Sequence, residues 1–486
     1  MASGKPEKSD EKGLTAKKAE NFSDWYVQVL LKSEFIDYSD VSGCIIFRPA
    51  AYGAWQAIVE AVDREFKKMG IQDVYFPLFI PEKFFANEKE MVEGFTPEVA
   101  WVTHGGDSKL PEKLAIRPTS EPMMYPTYSK WIRSWRDLPL RYNQWNNVVR
   151  WEFKHPTPFI RSREFLWNEG HTVFATEKEA LAERDLILSL YEKILKEYFA
   201  LPGVVGQKTK KEKFPGAVNS YSIEQMMPDL WMVQGPDFHF NGQNFAKAYD
   251  IKFLDQDGKT QHAWQNTFAI TTRVLGIMVA THSDDKGLVL PPKLANIQVV
   301  IVPIFKNENK DSVLKFTEKV AEKLSGKTRI KIDDREGYSP GFKFNDSELR
   351  GIPLRIEIGP KEVENKKVVI ARRDTGVKSE SSVDAVRENV DSLLDEIQAN
   401  LYERAKAMLT SNTHLVKDYD EFKKVLKEKG GIIHAPWCDD QSCEDKVKEE
   451  TGAKITNIPF KQSKLAPKCI YCGKKARHMA NFAKSY

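Results

Sequence analysis

The sequence predicts an α+β domain organised on an antiparallel sheet, followed by an α/β domain and a small α+β segment that carries a cysteine cluster. Three observations support this. Residues Val148 to Phe174 read as two strands joined by the breaker-rich turn His155, Pro156, Thr157, Pro158, forming an antiparallel hairpin. After the double proline at Pro291 and Pro292, short apolar strands alternate with amphipathic helices. Four of the five cysteines then fall between Cys438 and Cys472. The implied divisions are a polar, lysine-rich tail at 1–20, expected to be disordered or loosely attached, then domains at 21–290, 294–409 and 411–486.

The 41% hydrophobic and 29% charged fractions are those of a globular chain, and 486 residues suffice for several cores. With 73 basic against 69 acidic residues the net charge is only +4, so contact with nucleic acid would have to come from local patches. No apolar run approaches the roughly 20 residues that span a bilayer. The opening segment has no apolar signal region, and Glu7, Asp10, Glu11 and Glu20 speak against a transit peptide, so the expected location is cytoplasmic.

Between Tyr52 and Gly70 the apolar residues Trp55, Ile58, Val59, Val62, Phe66 and Met69 recur at helical spacing. The run Val74 to Pro81 then reads as a strand interrupted by Pro77, which confines it to an edge, a bulge or a subunit boundary. A helix feeding such a strand suits a homodimer interface, and equally a helix packed on its own sheet. The loop Ala115 to Tyr125 crowds Arg117, Thr119, Ser120 and Glu121 beside a turn-setting proline. In the second strand of the hairpin, Arg161, Arg163, Phe165, Trp167, Glu169 and His171 share one face by the two-residue period, while Arg150 and Glu152 fall on the first strand. Such a mixture of guanidinium, carboxylate, imidazole and aromatic groups suits a small ligand bearing both signs of charge.

Glu177 to Tyr198 reads as a helix with Leu181, Leu186, Leu188, Leu190, Tyr191 and Ile194 on or near its buried stripe. Region 245–290 reads as strand, strand, helix, with Arg273 at the last hand-over. In the second domain, strands are expected at 298–303, 329–333, 353–358 and 367–371, and helices at 312–324 and 384–409. The third segment is expected to start with a helix.

Cys438 and Cys443 form one spaced pair, and Cys469 and Cys472 a second about 30 residues on. Four soft thiolates in this pattern fit a closed tetrahedral Zn²⁺ site, structural because no coordination position stays open. Free thiols or disulfides are the alternatives, and the second is disfavoured in a reducing compartment. Cys44 stands alone and is expected to be a small buried apolar residue.

Arg150, Arg161 and Arg273, interspersed with Glu121, Glu152, Glu169 and Glu224, suit a nucleoside triphosphate: arginine forks neutralise phosphate oxygens and carboxylates hold Mg²⁺. No G-x-x-x-x-G-K-[ST] and no strand-linked G-x-G-x-x-G occurs, which removes the main support for P-loop and Rossmann readings.

After residue 20 the chain resembles prolyl-tRNA synthetase of the archaeal and eukaryotic type, a class II aminoacyl-tRNA synthetase. The helix to Gly70 with the strand through Pro77 is similar to motif 1, VVRWEF to FIRSREFLWNEGH to motif 2, and TFAITTRVLGIM to motif 3. RPTSE resembles the loop that receives the amino acid, SPGFKFNDSELRGIPLRIEIGP the anticodon-binding domain, and the four-cysteine tail the C-terminal zinc domain. The resemblance implies a class II catalytic domain (an antiparallel sheet with flanking helices), an α/β anticodon-binding domain and a small zinc-binding domain. It implies activation of L-proline with ATP and Mg²⁺, then transfer to tRNA(Pro).

On this resemblance Arg150 and Arg273 are catalytic. Arg150, Glu152, Arg161, Ser162, Gln234, Asp237, Thr271 and Arg273 bind ATP, and Thr119, Glu121, Arg150, Trp167, Glu169, His171, Phe214 and His239 bind proline. Glu348, Arg355, Arg372 and Arg373 read the anticodon, and Cys438, Cys443, Cys469 and Cys472 hold zinc. The sequence departs from the family at Gly235, Pro236, Asp237, Phe238, His239, where Asp237 stands in place of a usual threonine. The interval from Phe174 to Thr267 leaves no room for the editing insertion of bacterial-type relatives, so no cis-editing is expected.

Overall fold

The computed structural model describes residues 13–84, 98–152, 155–464 and 466–486. Residues 1–12 of the lysine-rich tail, and Phe153 and Lys154, lie outside that description. The rest of the tail is docked, contrary to the sequence expectation. Leu14 and Ala16 pack on the main core, and Lys18 Nζ donates to the carbonyls of Thr281 (3.2 Å) and Ser283 (2.8 Å).

Eleven strands form one continuous sheet. Its order is Thr413–Leu415, Ile432–Trp437, His478–Ala483, Lys454–Pro459, Val204–Gln207, Asn219–Met226, Met232–Gly242, Trp264–Ala269, Glu164–Phe174, Leu140–Val149 and Gln72–Asp73. The last 75 or so residues are therefore not an appended bead: their strand Lys454–Pro459 hydrogen-bonds to Val204–Gln207 at the edge of the catalytic sheet. This third segment opens on the strand Thr413–Leu415, and the expected helix follows at Tyr419–Glu428.

The hairpin forms with ten strand residues facing eleven, Leu140–Val149 against Glu164–Phe174. Both strands are shorter at the turn than expected. Arg150 and Glu152 lie past the end of the first, and Arg161 and Arg163 precede the second. The helix predicted to end at Gly70 spans Pro49–Lys68, started by a proline whose missing N–H costs nothing in the first turn. Its face of Trp55, Ile58, Val62 and Phe66 is buried in the core shared with the helix Glu177–Glu197. Each such side chain contributes about 1.5–3 kcal/mol. The apolar stripe is thus consumed within the chain, and the packed-on-its-own-sheet reading is the one observed.

Val74 to Pro81 is not one strand. Gln72–Asp73 joins the large sheet in parallel, whereas Phe79–Pro81 pairs in a separate three-stranded sheet with Ser108–Ile116 and Trp101–Gly105. Pro77 sits in the break, where its lack of an N–H removes nothing from either ladder. Two smaller corrections follow. Leu186 is exposed rather than buried, Ile187 taking the inward position, and the first strand expected after residue 245 is a short helix, Asn244–Ala248, with only Lys252–Leu254 extended.

The second domain is a five-stranded mixed sheet in the order Ile330–Ile332, Val299–Pro303, Leu354–Ile358, Lys367–Arg372, Lys378–Ser382. The sequence reading missed the edge strand Lys378–Ser382 and the helix Pro340–Leu349. Both lack an apolar stripe: the strand reads KSESS, and the helix buries only Lys343 and Ser347. No helix among the described residues is long and apolar enough to cross a membrane.

Candidate active site

Strand register assembles the site. Trp167 lies opposite Asn146, Glu169 opposite Gln144 and His171 opposite Tyr142, so the polar residues of both strands share one face. The row continues across the sheet: His171 is opposite Thr267, Thr267 opposite His239, and His239 opposite Ser220. Gly170, between Glu169 and His171, points the other way, where a Cβ would stand 2.0 Å from the Phe268 ring. Any larger residue there would displace the strand that carries both site residues.

A cavity of about 380 Å³ opens over this face, lined among others by Thr119, Glu121, Arg150, Glu152, Trp167, Glu169, His171, Phe214, Gln234, Asp237, His239, Thr271 and Arg273. A second, of about 210 Å³, shares Lys208, Gln234 and Arg273 with the first and adds Arg161, Glu224, Lys454 and Tyr486. The two cavities therefore adjoin. Ser162 lines neither cavity and is buried, contrary to its expected contact with ATP. Arg163 also leaves the expected face: it donates to the Ser42 carbonyl and stacks on Trp151.

Glu169 is the electrostatic anchor. It is only 2% exposed, and its carboxylate accepts from the Ser120 amide (3.0 Å) and hydroxyl, Gln144 (3.1 Å), Asn146 (2.6 Å) and His171 (3.2 Å). Burial alone would raise its pKa, but these bonds, led by that to His171, overturn the desolvation and hold it at about 2. Burial likewise opposes the His171 imidazolium, yet Glu169 and Glu121 outweigh it and lift the pKa above the usual histidine value. At His239 burial outweighs the nearby Asp237 and Glu121 carboxylates and lowers its pKa, and the ring stacks on Phe214 at 4.7 Å. Thr119 donates to Glu121. Asp237, the departure from the family pattern, accepts from Gln234 Nε2 at 2.8 Å and faces His239 Nε2 at 3.7 Å.

Arg150 and Arg273 are each fixed by backbone carbonyls at the first cavity. Arg150 donates through Nε to the Pro118 carbonyl (3.2 Å), and its guanidinium lies 5.3 Å from the Trp167 ring centroid and 5.4 Å from that of Phe165. Arg273 begins the helix Arg273–His282 and donates to the carbonyls of Ile160 (3.1 Å) and Gln234 (3.2 Å). Burial, then the neighbouring Arg150, lowers its pKa, against the opposing pull of Asp237 and Glu224.

The site residues missed from sequence are chiefly Gln144, Asn146, Lys208 and Ser220. The run RYNQWNN at 141–147 carried a signal, since polar residues at alternate positions of a central strand must face something other than a core. Lys208 sits in a lysine-rich loop that reads as solvated, but it is 8% exposed and pairs with Glu224 at 2.5 Å.

In the second domain, Arg355 donates to Glu348 (3.0 Å) and Glu357 (3.0 Å) and lies 4.2 Å from the Phe344 ring, with Lys378 on Glu357. Arg372 and Arg373 do not join this cluster. Arg355 pairs in the sheet with Ala371, so Arg372 projects from the opposite face, where Asp374 and Glu396 take it. Arg373, its side chain 3% exposed, grips Asp284 with both Nη atoms (2.6 and 2.8 Å) and the Glu348 carbonyl with Nε (2.8 Å). It clamps the second domain to the first.

The Sγ atoms of Cys438, Cys443, Cys469 and Cys472 all lie within 4.8 Å of one another, with Cys438 3.6 Å from Cys443 and 3.7 Å from Cys472. A disulfide would need about 2.05 Å, whereas a tetrahedron with Zn–S bonds of about 2.3 Å has edges near 3.8 Å. The donor set fits zinc. Cys44 is half-buried rather than buried.

An antiparallel sheet carrying motif arginines over an amino-acid pocket, with an α/β domain of the type that binds anticodons, defines a class II aminoacyl-tRNA synthetase. Family models agree by segment: the class II core of the G, H, P, S and T synthetases matches 101–282, the anticodon binding domain 298–393, and the C-terminal domain of prolyl-tRNA synthetase 419–486. A proline–tRNA ligase 2 of Bacillus cereus is 46% identical over 470 residues, covering 97% of this chain and 98% of its own. A proline–tRNA ligase of Alkaliphilus oremlandii is 45% identical, covering 96% of each. The crystal structure of prolyl-tRNA synthetase from Cryptosporidium parvum, complexed with halofuginone and AMPPNP, superposes with a TM-score of 0.93 at 44% identity, covering 98% of this chain and 100% of that one. The chain belongs to the prolyl-tRNA synthetase family.

Proposed function

We propose that the chain activates L-proline with ATP and transfers the prolyl group to the 3′ end of tRNA(Pro). The observation that carries this is a single cavity in which Arg150 and Arg273 face Trp167, Glu169, His171 and Phe214. In-line attack by the proline carboxylate forms an O–P bond at the α-phosphorus and breaks the bond to pyrophosphate. Negative charge builds on the equatorial oxygens, and Arg150 stabilises it. Arg161 and Arg273 hold the triphosphate tail, Gln234, Asp237 and Thr271 the ribose, and Glu152 the mouth of the site. No covalent nucleophile is required, since positioning and fixed charge suffice. Mg²⁺ would arrive with ATP to screen the tail, and Glu224, the carboxylate lining the second cavity, would be a ligand.

Trp167, Phe214 and His239 enclose the pyrrolidine ring, Thr119 and Glu121 receive the secondary ammonium, and the Glu169–His171 pair fixes the floor. Residues 21–290 serve catalysis, 294–409 tRNA reading through Glu348 and Arg355, and 411–486 the zinc knuckle. The interval from Phe174 to Thr267 is occupied by elements of the catalytic fold itself, which favours an enzyme without cis-editing. Exposed Tyr75 (73%), Phe79 (45%), Trp101 (40%) and Trp151 (42%) favour a homodimer that buries them. Closely packed thiols suited to a metal accord with a cytoplasmic enzyme. ATP–pyrophosphate exchange with each amino acid tests the whole reading: proline should lead by orders of magnitude. Exchange led by another amino acid would reassign the pocket, and none at all would make the chain a binding protein on a synthetase fold.

A further inference from the structure

The segment from Lys208 to Pro215 links the strands Val204–Gln207 and Asn219–Met226, and Lys208, Glu212, Lys213, Phe214 and Pro215 form one wall of the active-site cavity. It has no strand or helix of its own. Lysines at 208, 210, 211 and 213 repel one another, so the loop needs anionic partners to hold one conformation. Glu224 of the same domain holds Lys208, and four further contacts to the loop come from outside the catalytic domain. Thr209, 2% exposed, donates to Glu444 Oε1 at 3.0 Å. Lys211 pairs with Asp445, Glu212 with Lys454 at 2.7 Å, and Lys208 Nζ donates to the Thr456 carbonyl at 2.9 Å. Glu444 and Asp445 lie on the helix Gln441–Thr451, and Lys454 and Thr456 on the strand that extends the catalytic sheet. At its far end the loop delivers Phe214 onto His239.

We propose that the third domain is a latch on the amino-acid pocket: Thr209, Lys211, Glu444 and Asp445 are positioning residues that hold the 208–215 wall closed and so set the enzyme's affinity for proline. The proposal rests on the proline-activating reading above. None of these four side chains lines the cavity, so they act only through the loop. Loosening the loop moves Phe214 while leaving Arg150, Arg161 and Arg273, which lie on other segments, in place. Lys208, which also lines the second cavity, keeps its own anchors on Glu224 and the Thr456 carbonyl, so the effect should fall on proline and not on ATP.

The test uses the full-length, metal-loaded protein. Thr209→Val should raise KM for proline about tenfold in ATP–pyrophosphate exchange, the size of one lost hydrogen bond to a buried group, and Asp445→Lys, which turns an exposed ion pair into a repulsion, about threefold. KM for ATP and kcat should stay within about twofold. Thr209→Ser should restore the parent value, and Lys211→Asp combined with Asp445→Lys should recover most of the loss. Trypsin should cut the loop at Lys210 or Lys211 faster in Thr209→Val and Asp445→Lys than in the parent, at equal melting temperature. An unchanged KM for proline, or parallel losses in kcat and both KM values tracking a lower melting temperature, would overturn the latch. If the parent itself shows no proline-dependent exchange, the functional reading fails first, and an unchanged trypsin pattern would then sink the latch separately.

Discussion

At the scale of single residues the site is a balance between burial and charge. Glu169 and His171 sit in a place that penalises both ions, yet each stabilises the other. The signs differ. Glu169 has a folded pKa below its unfolded value, so its contribution is present at neutral pH and is lost as the pH falls toward 2. His171 has a folded pKa above its usual 6.5, so its contribution is complete below that value and is lost as the pH rises through the elevated folded pKa. Thermal melts of the parent and His171→Asn from pH 6 to 9 should therefore converge as pH rises; a constant difference would show that the ring acts by packing alone. Arg150→Ala should reduce adenylate formation by a factor of about 10² to 10³, the scale of one lost donor to a developing anion, while the melting temperature shifts little. Trp167, Glu169 and His171 were legible in the sequence because their alternation has no explanation in a core. Gln144 and Asn146 were passed over although their alternation carried a signal, because only the register shows what they meet, Glu169 opposite Gln144 and Trp167 opposite Asn146.

Among elements, legibility followed apolar periodicity. The helices 49–68, 177–197 and 386–411 and the strands 299–303 and 354–358 were read close to their limits. The helix Pro340–Leu349 and the strand Lys378–Ser382 were not, since what they present is charge and hydroxyl groups rather than a stripe. The adjacent arginines Arg372 and Arg373 could not be separated by sequence from Arg355, because only the pleat decides which face each takes. Their roles now diverge in a measurable way. Arg355→Ala should raise KM for tRNA about tenfold, a loss near 1–3 kcal/mol for a guanidinium fork on a base, and leave proline activation intact. Arg373→Ala should lower the melting temperature, because it leaves Asp284 and the Glu348 carbonyl without their partner, at a cost of about 1–3 kcal/mol. A selective tRNA defect with unchanged stability in Arg373→Ala would return that residue to the anticodon surface.

For the whole molecule, each of the three expected domains has a hydrophobic core of its own, the first and third share one sheet, and Arg373 clamps the second to the first. The cysteine spacing announced the knuckle, but nothing in the strand Lys454–Pro459 announced that it would pair with Val204–Gln207, since long-range pairing leaves no local mark. Metal analysis should find about one zinc per chain. Cys469→Ser should lower that content and the melting temperature together, and a stable, metal-free, fully active Cys469→Ser would show the cluster to be dispensable.

The shared sheet also sets an order in time. Asn457 Nδ2 bonds the Val204 carbonyl across 253 residues of chain, and a ribosome adding about 5–20 residues per second needs roughly 10–50 s to make that stretch. Throughout that interval the strand Val204–Gln207 is an open sheet edge, a template for pairing with another nascent chain. The lysines that follow it then act as electrostatic guards on an unfinished edge. Lys454 and Tyr486 line the second cavity, and Glu444 and Asp445 hold the 208–215 wall of the first, so neither cavity can take its final form until the carboxyl end of the polypeptide has been made.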